Sequence, residues 1–298
     1  MTQFVPRAAA LALVLAAPLA AAPQPARAQS DASPWIRESH SALRLVAGPR
    51  SGGFYFGGIA IKLQPGWKTY WRTPGDSGVP PRFDFAGSSN LGSATVLWPA
   101  PLKFPDGAGG TSYGYHDEVL LPLRITPADP DKPVTLRATI NYAVCEKLCV
   151  PVEAKTEISL TGSTGSADGA LAAALAGVPQ PAKIGDTHPL AVRAVRRDGN
   201  RVLVDVASPP GLTPDLFAEG PTPDWSLPPP EPAGDGEGGT RRFAFALDGL
   251  PPGAKPDGAL LKLTLTGAPK AARTAAAAVS TAGDGDRPRA WEVEVRLD

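Results

Sequence analysis

This sequence has no excess of positive or negative charge. Its 298 residues include 29 basic and 29 acidic side chains, giving a formal net charge of zero. That removes any electrostatic case for a nucleic-acid partner or a charged membrane surface. Soft metal ligands are scarce as well, with two cysteines, three histidines and one methionine, the initiator. A Ser-His-Asp order, a phosphate-cradling glycine loop and paired carboxylates at catalytic spacing are not found, so hydrolase and nucleotide-enzyme readings lack support. After the first thirty residues there is no apolar run long enough to span a bilayer. Proline (35 residues) and glycine (32 residues) are abundant. So many prolines would break helices turn by turn, which excludes a helical bundle and leaves a loop-rich, mostly β protein.

The N-terminus reads as an export signal. Arg7 supplies a basic start, AAALALVLAAPLAAA from Ala8 an apolar stretch, and Ala26-Arg27-Ala28 a small-x-small cleavage site. The apolar stretch is alanine-dominated, interrupted by Pro18 and short of the roughly 20 residues that a span needs. Residues 1–28 are therefore expected to be a cleaved signal peptide. The mature chain is expected to be exported and not membrane-spanning, with a bacterial periplasm as the natural compartment.

From Trp35 to Leu160, β-rich runs alternate with turn signals: FYFGGIAIKL (Phe54), TVLWPAP (Thr95), EVLLPLRI (Glu118), VTLRATINYAV (Val134) and EAKTEISL (Glu153). Their spacing, without helical patterns between them, suggests an antiparallel sandwich. Prolines inside several runs imply edge strands or bulges. A polar, glycine-rich linker follows, in which ALAAALAG could form two helical turns. Strand patterns resume near residue 185 and end in RAWEVEVRLD, where Trp291, Val293, Val295 and Leu297 alternate cleanly. SLPPPEPAGDGEGG reads as a floppy exposed loop, and AARTAAAAVSTAG fits either a short helix or a loop. The expectation is two β domains, residues 29–162 and 185–298, joined by a linker over 163–184.

The two cysteines, Cys145 and Cys149, lie in NYAVCEKLCVPVEA. In an oxidising compartment they should form a disulfide. Four residues of flat strand span about 13 Å, beyond disulfide reach, so the chain must turn tightly between them and the strand must give way before Cys149. A loop this short gains only about 2 kcal/mol from cross-linking, and a chain of this size has core enough without a staple. Short bent loops favour a labile bond. Lys147 favours a thiolate and Glu146 opposes it. From the residues alone, a redox-active pair, a passive staple and a Cu(I)- or Zn-binding dithiolate all stay open. The metal reading is disfavoured because the pair supplies only two ligands.

Four motifs in order, WKTYWRTPGDSGVPP (Trp67), WPAP (Trp98), GYHDEVLLP (Gly114) and YAVCEKLCVPVEA (Tyr142), resemble one periplasmic family. Residues 35–162 are similar to the N-terminal domain of the thiol:disulfide interchange protein DsbD, in particular the branch of the suppressor-of-copper-sensitivity protein ScsB, which shares the CxxxC spacing. The resemblance implies two immunoglobulin-like β-sandwich domains and no cofactor. It implies thiol–disulfide exchange of the protein-disulfide reductase type, taking electrons from a membrane-embedded thiol carrier and passing them to a periplasmic thioredoxin-fold protein. The membrane and thioredoxin-like domains of the full-length relatives are not found in this sequence, so the donor is expected to be a separate protein. The alternatives are a binding or scaffold module with a structural disulfide and, more distantly, copper handling.

By position in that family, Cys149 forms the mixed disulfide and Cys145 resolves it; nothing in the sequence itself ranks them. A cap loop bearing an aromatic shields the pair in the family, and LKFPDGAGGTSYGY matches it here. Phe104 is the cap candidate, with Tyr113 and Tyr115 behind it, although Tyr115 reads more readily as core. Trp67, Tyr70 and Trp71 are candidates to line the cysteine pocket and equally good core or rim residues. Asp76 is expected to cap its own turn. His116 beside Asp117 has the look of a proton relay, but a lone exposed histidine is more often inert. His40 and His188 receive no role.

Overall fold

The computed structural model describes residues 1, 31–107, 109–163, 165–269 and 290–298. The export signal beyond Met1 and the AARTAAAAVSTAG stretch lie outside the described residues. The first strands are β1 (Ile36–Glu38), β2 (Ser41–Ser51), β3 (Phe54–Leu63), β4 (Lys68–Gly75), β5 (Arg82–Asp84) and β6 (Leu91–Val96). They are followed by β7 (Leu102–Pro105), β8 (Thr111–His116), β9 (Glu118–Pro127), β10 (Val134–Cys145) and β11 (Cys149–Leu160). A helix, α1 (Asp168–Ala176), precedes β12 (Gln180–Ala182), β13 (Ala191–Asp198), β14 (Arg201–Ala207) and β15 (Leu212–Glu219). The last strands are β16 (Glu231–Asp235), β17 (Arg241–Ala246), β18 (Leu260–Pro269) and β19 (Trp291–Arg296).

The strands build four sheets. The first has the order β1-β2-β3-β9-β6, and the second β11-β10-β4-β8-β7 with β5 paired to β10. Period-2 alternation turns one face of each toward the other. Leu43, Leu45, Ile59, Ile61, Leu121 and Leu123 come from the first sheet, and Trp71, Tyr113, Leu136, Ile140, Tyr142 and Val144 from the second, all within one buried cluster. The third sheet, β12-β19-β18-β15, and the fourth, β13-β14-β17-β16, enclose a second cluster. In it Val202, Val204 and Val206 meet Leu261, Leu263 and Leu265, and the alternation at the C-terminus holds, with Val293, Val295 and Leu297 buried.

Some local expectations change. Pro151 does lie on an edge strand, β11, but Pro122 lies in β9, which is flanked by β3 and β6. It is tolerated there because β6 has already ended: Leu97 N–H donates to the Pro122 carbonyl and no donor is asked of the proline itself. The segment expected as a floppy loop contains β16, an exposed edge strand paired to β17, in which Pro232 faces Phe243. ALAAALAG is helical, as its composition suggests. Leu171 of α1 fills the notch that two glycines leave, since a Cβ at Gly48 would lie 2.5 Å from its Cδ1 and one at Gly58 3.0 Å from its Cδ2. With Val46 and Ala167 it forms a small buried cluster that docks the helix on the first sheet.

Candidate functional site

The cysteines sit at the end of the longest hairpin. Strands β10 and β11 pair continuously from Val134↔Leu160 to Cys145↔Cys149, leaving Glu146, Lys147 and Leu148 as the loop. The tight turn is therefore present, and the strand gives way before Cys149 as expected: β10 runs to Cys145 and a three-residue loop follows. Directly opposed residues in an antiparallel ladder lie about 4.5–5.5 Å apart, within disulfide reach, so a hairpin joins cysteines four apart without any helical turn. Their Cα atoms are 4.2 Å apart and the sulfurs are bonded.

The two sulfurs live in different surroundings. Cys145 is 2% exposed and forms a small buried cluster with Tyr70 and Ala143, on the side of the second sheet away from the main core. Cys149 is exposed, and next to it Leu148 is 79% exposed. The Tyr70 hydroxyl donates to Cys145 Sγ at 2.8 Å and lies 3.2 Å from Cys149 Sγ. Burial, reinforced by the Asp106 carboxylate, pushes the Tyr70 hydroxyl above its ordinary pKa, so it stays a proton donor.

Register brings these groups together. Cys145 pairs with Lys68 and Val144 with Thr69, so β4 meets β10 only at its tip, and Thr69 Oγ1 extends the junction by donating to the Ala143 carbonyl. Pleating then places Lys68 and Tyr70 on the face of Cys145, and Trp71 on the core face. Burial lowers the Lys68 pKa, with Asp106 acting weakly the other way. The loop after β4 lies on Tyr70. Gly78 is required there, because a Cβ would come within 2.7 Å of Tyr70 Cδ1 and 2.3 Å of Pro74 Cβ. Asp76 ties that loop down by accepting the Thr111 N–H at 2.8 Å, so it caps the start of β8 rather than its own turn.

Of the candidate pocket aromatics, only Tyr70 touches the sulfurs. Trp67 stacks on His40, with ring centroids 3.7 Å apart, at the turn before β4. Trp71 is fully buried in the first core against Tyr113 and Phe217, so its pocket assignment is corrected: strand pleating turns it away from the disulfide. Phe104 is on the disulfide's face of the sheet. Its ring meets His116 at 5.8 Å and the Lys68 ammonium at 5.6 Å, and Lys68 is the residue opposite Cys145. The cap candidate thus lies on β7, with β8 and β4 between it and the strand of Cys145, and reaches the site through Lys68. Tyr113 and Tyr115 do not stand behind it but point through the sheet into the core, where the Tyr115 hydroxyl donates to the Pro99 carbonyl. His116 pairs with Asp117. Lys68, Gly78 and Leu148 are site residues that sequence reasoning missed. Leu148 alone carried a signal, an apolar residue inside a three-residue loop.

The arrangement is competent for thiol–disulfide exchange, which needs one reachable sulfur and a second positioned to leave. Among the described residues no three His, Cys, Asp or Glu side chains converge as metal ligands, and no helix is long and apolar enough to cross a membrane.

Comparison with known proteins agrees with this geometry. Residues 52–161 match the family model described as thiol:disulfide interchange protein DsbD, N-terminal. Among solved structures, the chain is similar to the N-terminal periplasmic domain of ScsB from Proteus mirabilis. The two share 18% identity with a TM-score of 0.67, over 90% of this chain and 98% of that one. The likeness shows a shared fold, in keeping with the expected all-β, immunoglobulin-like sandwich architecture. No curated protein sequence matches.

Proposed function

We propose, for a chain whose residues 52–161 match the DsbD N-terminal model, that the Cys145–Cys149 pair relays electrons in the periplasm from a membrane thiol carrier to a soluble thioredoxin-fold acceptor. The supporting observation is the asymmetry of the pair: an exposed Cys149, and a buried Cys145 whose sulfur accepts a hydrogen bond from Tyr70. A donor thiolate attacks Cys149 Sγ, the Cys145–Cys149 bond breaks, and its electron pair leaves on Cys145 Sγ. The Tyr70 hydroxyl stabilises that thiolate where burial would otherwise raise its pKa. The donor's second thiol then displaces Cys149, leaving two reduced cysteines here and a disulfide on the donor. The reverse sequence hands two electrons and two protons to the acceptor. Mixing the reduced protein with an oxidised thioredoxin-fold domain should oxidise the pair stoichiometrically as the acceptor's disulfide is reduced. No transfer over hours would count against the proposal.

Two substitutions separate the neighbours of the pair. Tyr70→Phe keeps the ring and removes the donor, so reduction by dithiothreitol should slow about tenfold, close to the ~1.5 kcal/mol that a hydrogen bond to a charged group contributes. An unchanged rate would leave Tyr70 as packing only. Phe104→Ala uncovers the Lys68 side of the pair and should speed the same reaction several-fold. It should cost less than the roughly 1.5–3 kcal/mol of a fully buried phenylalanine, because Phe104 is only half-buried. An unchanged rate, or a loss of stability of core size, would remove Phe104 from any gating role.

A further inference from the structure

The strands that form the site are held from behind by the second pair of sheets. In β15, Leu216 and Ala218 enter their own core, so pleating turns Phe217 and Glu219 outward. Phe217 is 1% exposed and belongs instead to the first core, with its ring centroid 5.8 Å from that of Trp71 and 4.8 Å from that of Tyr113. Glu219 takes a two-bond grip on Arg72, from Nε at 2.9 Å and Nη2 at 2.7 Å, and also accepts from Thr73 Oγ1 at 2.7 Å. Glu292 of β19 accepts from the same guanidinium at 2.6 Å. Burial works against the charge on Arg72, but the hydrogen bonds and charges of the two carboxylates outweigh it and raise its pKa. Lys103 of β7 donates to the Pro230 carbonyl at 3.0 Å and lies over the Phe217 ring.

These contacts fall on particular strands. Arg72 and Thr73 are two and three residues from Tyr70 along β4, whereas β4 and β10 share only two paired positions near the cysteines. The junction of Tyr70 with the disulfide is thus short, and β4 is anchored farther along the strand. Lys103 neighbours Phe104 in the same way.

We infer that the second pair of sheets positions the redox site: Glu219 and Glu292, through Arg72, and Phe217, through Trp71, hold β4 so that the Tyr70 hydroxyl meets Cys145 Sγ. They are positioning residues, acting on the disulfide through Tyr70. Their role rests for its use on the exchange reading, which it deepens, but it concerns the reactivity of the Cys145–Cys149 bond itself.

The test uses the full chain with Glu219→Gln and Glu292→Gln combined, which keeps shape and removes both charges. Dithiothreitol reduction rate and reduction potential are measured alone and in the Tyr70→Phe background, with thermal midpoints recorded separately. The double variant should slow reduction about two- to thirty-fold, the range in which coupled positions modulate a distant site. It should add no further slowing once Tyr70 is phenylalanine, since the route runs through that hydroxyl. Wild-type rate and potential in a folded double variant, or slowing that multiplies with that of Tyr70→Phe, would overturn the inference. Should the double variant fail to fold, Phe217→Leu takes its place in the same measurements, with the same result expected and the same results overturning the inference. A wild-type disulfide that itself resists dithiothreitol would instead count against the exchange reading.

Discussion

Replacing Cys145 with serine should turn the protein into a trap, whereas replacing Cys149 should nearly silence it. The reason is access. Cys149 is exposed at the hairpin tip, while Cys145 is buried beside Tyr70 and Ala143. In Cys145→Ser the remaining thiol meets any partner disulfide, and with no resolving sulfur the mixed disulfide persists. In Cys149→Ser the remaining thiol must wait for local opening and should react on the order of 100-fold more slowly with an aromatic disulfide reagent, as about 2.7 kcal/mol of opening would impose. The check is thiol titration of each variant, followed by recovery of covalent adducts with an oxidised thioredoxin-fold domain. Equal reactivity of the two variants would remove the assignment of attacked and leaving sulfurs.

The second large effect concerns stability. Trp71→Ala should lose about 3–5 kcal/mol, the range for emptying a buried aromatic site, because Trp71 is fully buried and touches both Tyr113 and Phe217. The loss should appear as a lower urea midpoint. A shift of under about 1 kcal/mol would mean that Phe217 does not close the first core against Trp71 and Tyr113.

Much of the fold was legible because period-2 patterns survive in isolation. FYFGGIAIKL corresponds to β3 residue for residue, and Val293, Val295 and Leu297 are buried as their alternation implies. What local pattern could not supply was long-range register. WKTYW holds three aromatics, and which of them meets the sulfurs depends on Lys68 lying opposite Cys145, a pairing across 77 positions that no nearby residue encodes. One step of slip would have exchanged Tyr70 for Trp71. Phe104 shows the same limit in milder form, since its face was not fixed until β7 paired with β8 at Phe104↔Ser112. Phe217 was hidden for another reason: an outward phenylalanine in β15 looks like any strand apolar until a second core is found to receive it. Glu231–Asp235 misled because Pro-Gly composition resembles a loop, yet a solvent-facing edge strand tolerates both residues.

The central claim, that Cys145–Cys149 is an exchanging disulfide and not a staple, is tested most directly by its reduction potential. Equilibrating the full chain against a graded series of reduced and oxidised dithiothreitol at pH 7, and counting free thiols at each step, gives that value. An exchanging pair should show a potential between about −180 and −270 mV, among the disulfide carriers that accept and pass on electrons, while a value well below about −300 mV would mark a structural bond and contradict the claim.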